Sequence, residues 1–273
     1  KMNTYYIMLC VTLGASESGI VGGKIAKPHS RKYMASLQTD GNHFCGGFLI
    51  RDDFVLTAAH CKREWQINID NTVIVLGAHN ITKPEKSQQK IQVKKYFPHP
   101  KYNGKYDFDV MLLKVRTLFT VSQLNKFVQT IGLPKKDKTV KAHTECTVSG
   151  WGRMQPTKES NPSDVLREAQ EKIQFNFECK NIWTKYFNTE HMICTKFNKK
   201  GGSMCQGDSG GPLICKNKPL GISAFTNADC ADPKYPHAYT KISSFLPWIE
   251  KITGGLGNES KPLDSTYYSP RFN

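Results

Sequence analysis

Acidic residues are scarce in this sequence. It has 23 Asp and Glu residues against 38 Lys and Arg residues, so its formal net charge is +15. Lysine pairs such as Lys94-Lys95, Lys135-Lys136 and Lys199-Lys200 are spread along the chain. Two interpretations stay open: a solvated surface, or retention on polyanions such as sulfated glycans, for which positive charge raises nonspecific affinity. No nucleic-acid-binding module accompanies the charge, so nucleic acid is not an expected partner.

Long apolar runs are also missing. The apolar stretch from Tyr5 to Leu13 spans nine residues, whereas a membrane-spanning helix needs about 20. It follows Lys1 and precedes the small residues Gly14, Ala15 and Ser16, which is the pattern of a cleaved signal peptide. We therefore predict that residues 1–19 are a signal peptide with a short propeptide. The protein is expected to be secreted or stored in a secretory granule, without stable membrane insertion.

The cysteine spacing does not favour zinc, because the sequence has no CxxC pair and no His-x-x-x-His partner. Cys10 lies inside the predicted signal peptide, and eight of the nine cysteines remain. An even number of cysteines in a secreted chain indicates disulfides, although the spacing alone allows 105 connectivities. No metal and no cofactor are expected.

Short apolar segments separated by Gly, Asn, Asp and Pro indicate an all-β protein built as a sandwich or a barrel. The clearest of them are Phe48 to Ile50, Phe54 to Leu56, Val73 to Leu76 and Val110 to Val115. Ser243 to Ile252 differs, because Phe245, Ile249 and Ile252 recur at helical spacing. The domain is predicted to span residues 20–253, and residues 254–273 are predicted to be a flexible tail.

Three segments carry residues that could perform chemistry. His60 follows the largely apolar segment Leu56-Thr57-Ala58-Ala59 and precedes Cys61, and Asp109 lies among apolar neighbours in 107–113. Ser209 stands on the glycine-rich segment 205–213. Each alone has an ordinary structural explanation. Together they supply a hydroxyl nucleophile, a base that takes its proton and a carboxylate that orients the base.

Glycines around Ser209 suggest a second feature. They would let the backbone N–H groups of Gly207 and Ser209 converge on the oxygen that becomes negative in a tetrahedral intermediate, forming an oxyanion hole. The sequence therefore predicts the catalytic residues His60, Asp109 and Ser209 in a serine endopeptidase.

The segments occur in the order of one known family. The matching sequence motifs are Ile20-Val21-Gly22-Gly23, Thr57-Ala58-Ala59-His60-Cys61, Asp109-Val110-Met111-Leu112-Leu113, Ser149-Gly150-Trp151-Gly152 and Gly207-Asp208-Ser209-Gly210-Gly211-Pro212. With these, the chain resembles the chymotrypsin-family serine peptidases. The resemblance implies two six-stranded antiparallel β-barrels with the active site between them and a C-terminal helix. It also implies the disulfides Cys45–Cys61, Cys146–Cys215, Cys179–Cys194 and Cys205–Cys230.

Within the family, the stretch from Pro28 to Leu37 resembles granzymes and mast-cell proteases of immune-cell granules. Digestive trypsins carry acidic calcium ligands after the position of Gly77, but here the 80–86 region offers only Glu85. No calcium site is expected.

The resemblance also implies how the enzyme is activated. Cleavage before Ile20 would free an α-ammonium group that inserts beside Asp208. The residue before this bond is Gly19, so an activating protease of trypsin-like specificity is not expected.

The primary pocket is assigned by the same resemblance to Ser203, Met204, Ala224, Phe225, Thr226 and His237. Ser203 stands where trypsin-like enzymes hold an aspartate, so a buried Lys or Arg would lack a partner. Thr226 and His237 stand where open-pocketed relatives have glycine, which predicts a narrow pocket for Met or Leu. An acidic P1 residue paired with His237 and a bulky aromatic P1 residue remain alternatives.

Protein and peptide substrates are the expected partners, and serpin-type inhibitors and sulfated glycans are candidates. Asn80-Ile81-Thr82 and Asn258-Glu259-Ser260 match the N-glycosylation pattern. Two alternative hypotheses about function stay open: an inactive protease-like protein and a cationic polyanion-binding protein.

Overall fold

Two β-barrels account for most of the secondary structure. The computed structural model describes residues 20–62, 71–115, 124–135, 140–156, 160–197 and 202–255. A short strand, β1 (Lys24–Ile25), comes first. The first barrel then consists of β2 (Met34–Thr39), β3 (Asn42–Arg51), β4 (Phe54–Thr57), β5 (Thr72–Leu76), β6 (Gln89–Pro98) and β7 (Met111–Val115). It closes in the order β2-β3-β4-β7-β6-β5, with antiparallel neighbours.

The second barrel has the same number of strands. They are β8 (Glu145–Gly150), β9 (Arg167–Ile173), β10 (Met192–Phe197), β11 (Pro212–Cys215), β12 (Lys218–Phe225) and β13 (His237–Lys241). The sheet order β9-β10-β13-β12-β11-β8 is closed by pairing of β8 with β9. Strand β1 pairs with the first two residues of β9, Arg167 and Glu168. The predicted all-β fold of two six-stranded barrels is confirmed, with β1 as an addition.

Helices are short. The helix α1 (Asn176–Trp183) was not anticipated from the sequence. The predicted C-terminal helix is present as a 3-10 turn over Ile242–Phe245 followed by α2 (Leu246–Thr253). Gly254 ends α2 in the left-handed conformation with φ of 73°, and its N–H bonds the carbonyl of Glu250, which is a common helix terminus. No helix in the described part of the chain has the length and apolarity needed to cross a membrane.

The barrel interiors explain why the apolar segments form strands. Phe48, Leu56 and Leu112 are completely buried in the first barrel, and burial of such a side chain stabilises the fold by about 1.5–3 kcal/mol. Ile249 of α2 joins this cluster. In the second barrel, β9 alternates between buried and less buried residues, so Ala169, Glu171 and Ile173 share the inner face.

Four disulfides connect the pairs that the resemblance implied: Cys45–Cys61, Cys146–Cys215, Cys179–Cys194 and Cys205–Cys230. The predicted signal peptide, Asn258 and residues 256–273 of the predicted tail lie outside the described residues.

Candidate active site

Strand pairing brings His60 and Asp109 together. Thr57, at the end of β4, pairs with Met111, at the start of β7. Because the strands are antiparallel, the residues just after β4 and just before β7 meet at one edge of the barrel. There the Nδ1 atom of His60 lies 2.6 Å from Oδ2 of Asp109, and the His60 N–H donates to Oδ1 at 2.8 Å.

Asp109 is positioned from both barrels. It is 3% exposed, and the hydroxyl of Thr240 in β13 donates to its carbonyl at 2.9 Å. A carboxylate that accepts from Nδ1–H holds the imidazole in the tautomer whose Nε2 is an acceptor. His60 is therefore prepared to take a proton at Nε2.

The turn that carries Ser209 depends on glycine. Gly207 and Gly210 have φ of 96° and 79°, a region that glycine adopts without steric cost. A Cβ at Gly210 would lie 2.2 Å from the Thr57 hydroxyl oxygen. The Ser209 carbonyl accepts from the N–H of Gly46 in β3 at 2.8 Å, which attaches this turn to the first barrel.

The two predicted oxyanion donors point away from the carbonyls beside them. The Arg153 N–H donates to the Gln206 carbonyl at 2.7 Å, and the Gly211 N–H donates to the Asp208 carbonyl at 3.0 Å. In a trans peptide the N–H that follows points opposite to the carbonyl. The N–H groups of Gly207 and Ser209 thus point away from these two contacts, as the predicted role of oxyanion donors requires.

His43 supports the same turn and was missed by the sequence analysis. Burial lowers its pKa to about 4, against the opposing effect of its bond to Gly207, so the ring is neutral and has one N–H. Its Nε2 lies 2.9 Å from the Gly207 carbonyl, which can only accept, and its Nδ1 lies 2.8 Å from the Ser36 hydroxyl. Nε2–H therefore donates to Gly207 and Nδ1 accepts from Ser36. No local motif in the sequence signals this contact.

Asp208 is completely buried next to the reactive turn. Its carboxylate accepts from the N–H groups of Gly152 at 2.8 Å and Cys205 at 2.9 Å. Burial raises its pKa to about 7, although both bonds lower it. Ile20, the other half of the predicted activation pair, is also completely buried.

A cavity of about 200 Å³ opens at Ser209. Its walls include four predicted pocket residues, Met204, Ala224, Phe225 and Thr226, and also Cys230. Ala224 sits at an irregularity in the pairing of β12 with β13, between Ser223 and Phe225.

The other two predicted pocket residues lie deeper. Ser203 is 1% exposed and His237 is 0% exposed. Both contact the carbonyl oxygen of Cys230, at 2.9 Å from the Ser203 hydroxyl and 3.3 Å from Nε2 of His237. Nδ1 of His237 lies 2.7 Å from the carboxylate of Glu171. Glu171 was missed by the sequence analysis, and no spacing pattern links it to His237.

Two surface expectations can also be located. The Oδ1 atom of Asn80 accepts from the N–H and the hydroxyl of Thr82, both at 2.9 Å. No calcium site is expected in this loop, and its acidic residue is Glu85. The Glu85 carboxylate accepts hydrogen bonds from the N–H groups of His79 and Asn80. This carboxylate therefore organises the loop that carries Asn80.

Comparison with known proteins agrees with this geometry. Residues 20–249 match the family described as Trypsin. The chain is 43% identical to granzyme B of Rattus norvegicus over 242 residues, 86% of this chain and 92% of the relative. It is 39% identical to cathepsin G of Homo sapiens over 240 residues, 86% of this chain and 88% of the relative.

A solved structure shows the same architecture. It is titled neuropsin, a serine protease expressed in the limbic system of mouse brain, and has a TM-score of 0.75 and 32% identity. The match covers 85% of this chain and 98% of that chain. The family predicted from the five sequence segments is thus confirmed, and this chain belongs to the trypsin family of serine endopeptidases, among relatives named granzymes and cathepsin G.

Proposed function

We propose that this protein is a granule-stored or secreted serine endopeptidase that cleaves after uncharged, Met- or Leu-like residues through an acyl-enzyme. The observation that carries the proposal is the His60–Asp109 pair beside the Ser209 turn and its neutral cavity. In the proposed reaction the Ser209 hydroxyl oxygen attacks the scissile carbonyl while Nε2 of His60 takes the hydroxyl proton. His60 then gives that proton to the leaving amine, and water releases the acyl group by the same route.

Charge development supports the assigned roles. The Asp109 carboxylate, 2.6 Å from Nδ1, stabilises the imidazolium that forms. The N–H groups of Gly207 and Ser209 would bind the oxyanion, and loss of one such donor typically costs about 10²–10³ in rate.

Activation is proposed to depend on Asp208. In the described part of the chain, the hydrogen bonds to the Asp208 carboxylate come from the N–H groups of Gly152 and Cys205, so none of its hydrogen-bond partners there is charged. An α-ammonium released by cleavage before Ile20 would supply a charged partner. This pair would order the segment from Gly207 to Ser209 and convert a zymogen into the active enzyme.

The primary pocket is proposed to accept Met or Leu at P1. The Ser203 hydroxyl is bonded to a carbonyl and carries no charge, so a buried Lys or Arg would be unpaired. Met204 and Thr226 occupy part of the walls of the cavity, which disfavours Trp and Tyr. Since both ring nitrogens of His237 already face acceptors, an acidic P1 residue finds no free donor there.

Storage in a secretory granule is supported by the relatives named granzyme. The net charge of +15 and the exposed lysines of β6, Lys90, Lys94 and Lys95, favour retention on sulfated glycans. Protein substrates and serpin-type inhibitors are the other proposed partners.

The test combines labelling with a specificity profile. Cleaved protein should react with a fluorophosphonate at Ser209, and the matched Ser209→Ala variant should not. Peptides that differ only at P1 should then be cleaved fastest with Met or Leu. Failure to label would favour an inactive or polyanion-binding protein, whereas fastest cleavage after Arg or Lys would refute the pocket assignment.

A further inference from the structure

Three neighbouring strands bury a cluster of four polar side chains behind the primary pocket. Glu171 comes from β9, Thr195 from β10, and His237 and Tyr239 from β13. Thr195 pairs with His237 across β10 and β13, and Phe197 pairs with Glu171 across β10 and β9. All four cluster residues are at most 1% exposed.

Glu171 is an ionised carboxylate in this cluster. One oxygen, Oε1, lies 2.7 Å from Nδ1 of His237. The other, Oε2, accepts from the hydroxyl of Tyr239 at 2.6 Å and from the hydroxyl of Thr195. Burial opposes ionisation, but His237 and the hydroxyl donors outweigh it and lower the pKa of Glu171. A carboxylate that receives three donors is satisfied without a proton of its own.

The hydrogen-bond partners of His237 favour the imidazolium form of its ring. Its two nitrogens face two groups that only accept, the Glu171 carboxylate and the Cys230 carbonyl. A neutral imidazole has one N–H and could satisfy one of them, whereas the imidazolium satisfies both. The ring of Phe197 stacks on the imidazole, with centroids 4.4 Å apart and planes 10° apart, so the cation is enclosed on that face.

The cluster is connected to the cavity at Ser209 through one residue. Cys230 lines the cavity, and its carbonyl accepts from both Ser203 and His237. A positive charge on His237 would therefore interact electrostatically with a P1 side chain in the cavity, with the Cys230 backbone between them. In the protein as folded, that charge is cancelled by Glu171 at hydrogen-bond distance.

We infer that Glu171 is a positioning residue that determines P1 selectivity: it neutralises His237 and holds the ring behind the pocket wall, so that a P1 carboxylate meets no available cation. The inference rests on the proposed peptidase function. It assigns the uncharged character of the primary pocket to a residue that does not itself contact substrate.

Other titratable groups near the pair do not supply an alternative counterion. Tyr239 is kept protonated, because burial and the Glu171 carboxylate raise its pKa well above the usual value. Burial and, less strongly, Glu171 raise the pKa of Asp208 to about 7, whereas His237 lowers it, and in the cleaved enzyme this carboxylate is proposed to pair with the α-ammonium group instead. Ser203 and Thr195 do not titrate. Removal of the Glu171 charge would therefore leave His237 as the group that responds to an acidic side chain.

The first experiment measures the protonation state directly and needs no substitution in the pair. In the inactive Ser209→Ala protein labelled with nitrogen-15 histidine, both ring nitrogens of His237 should carry protons at pH 7.4. A resonance from a deprotonated ring nitrogen of His237 at that pH would overturn the inference.

The second experiment compares two substrates on each enzyme, since their ratio does not depend on how much protein is active. In Glu171→Gln at pH 6.0, kcat/KM for P1 Glu relative to P1 Met should rise about tenfold over the unmodified protein, the scale expected for unmasking one buried charge. Tyr239→Phe removes one hydrogen bond to Glu171 and keeps its charge, so its ratio should change less than about twofold.

The double variant Glu171→Gln/His237→Asn identifies the source of the change, because it has no imidazole to unmask. Its ratio should return to that of the unmodified protein. An unchanged ratio in a fluorophosphonate-reactive Glu171→Gln enzyme, or a gain that persists in the double variant, would refute the inference. A preference for aromatic P1 residues in the unmodified protein would instead refute the Met/Leu proposal and leave these outcomes intact.

Discussion

Asp208 should make the uncleaved protein less stable as the pH rises. Its carboxyl group is completely buried, and burial raises its pKa from 3.8 to about 7. Because the folded-state pKa is above the unfolded-state value, the folded chain binds the proton more tightly. The resulting contribution to the free energy of unfolding is fully present below about pH 4 and is lost as the pH rises through about 7.

The size of the effect follows from the two pKa values. A shift from 3.8 to about 7 corresponds to about 4 kcal/mol, of which about 3 kcal/mol is lost between pH 5 and pH 8. For a domain of this size, each kcal/mol changes the Tm by roughly 2–4 °C. The uncleaved protein should therefore lose about 6–12 °C in Tm between these pH values through Asp208 alone.

Cleavage before Ile20 should abolish this loss, since the released α-ammonium would pair with the carboxylate and lower its pKa. The assay is scanning calorimetry at pH 5 and pH 8, with Ser209→Ala in every sample to prevent self-digestion. Uncleaved and cleaved forms are compared, and uncleaved Asp208→Asn serves as the control for all other titrating groups.

The expected result is a larger fall in Tm for the uncleaved protein than for either comparison form. An uncleaved protein whose Tm falls no more than that of the Asp208→Asn variant would refute the reasoning.

Three further outcomes follow from single contacts. Asp109→Asn should lower kcat by about 10⁴-fold while Tm changes little, because the imidazole loses the carboxylate that sets its tautomer; retention of near-normal kcat by purified enzyme would contradict this. Gly152→Ala should abolish activity and destabilise the protein by about 3 kcal/mol in denaturant titration, because the new Cβ would lie 2.5 Å from the Asp208 carboxyl carbon; normal turnover would argue against it. Asn80→Gln should remove one N-glycan from secreted protein, and an unchanged mass after this substitution would show that Asn80 is unmodified.

Local patterns predicted the strands well, and they also supplied the candidate catalytic residues, which remain a prediction. Apolar segments such as Phe54 to Leu56 lie in strands of the first barrel, because the spacing and the type of apolar residues reflect which side chains a sheet buries. His60, Asp109 and Ser209 were identified because each sits in a short motif whose residue types suit one chemistry. Helix α1 was missed, since its eight residues lack a strong amphipathic pattern and include the disulfide partner Cys179.

The sequence by itself therefore determined the family, through the family resemblance the two-barrel fold, and the residues proposed to act as nucleophile, base and orienting carboxylate. Only the tertiary structure decided the surroundings of these residues: His43 holding the Gly207 carbonyl, and Glu171 pairing with His237. Glu171 and His237 are 66 positions apart in the sequence and meet because β9 and β13 both flank β10. Such contacts depend on the register of paired strands and on closure of the barrel, and neither is expressed in the local order of side chains.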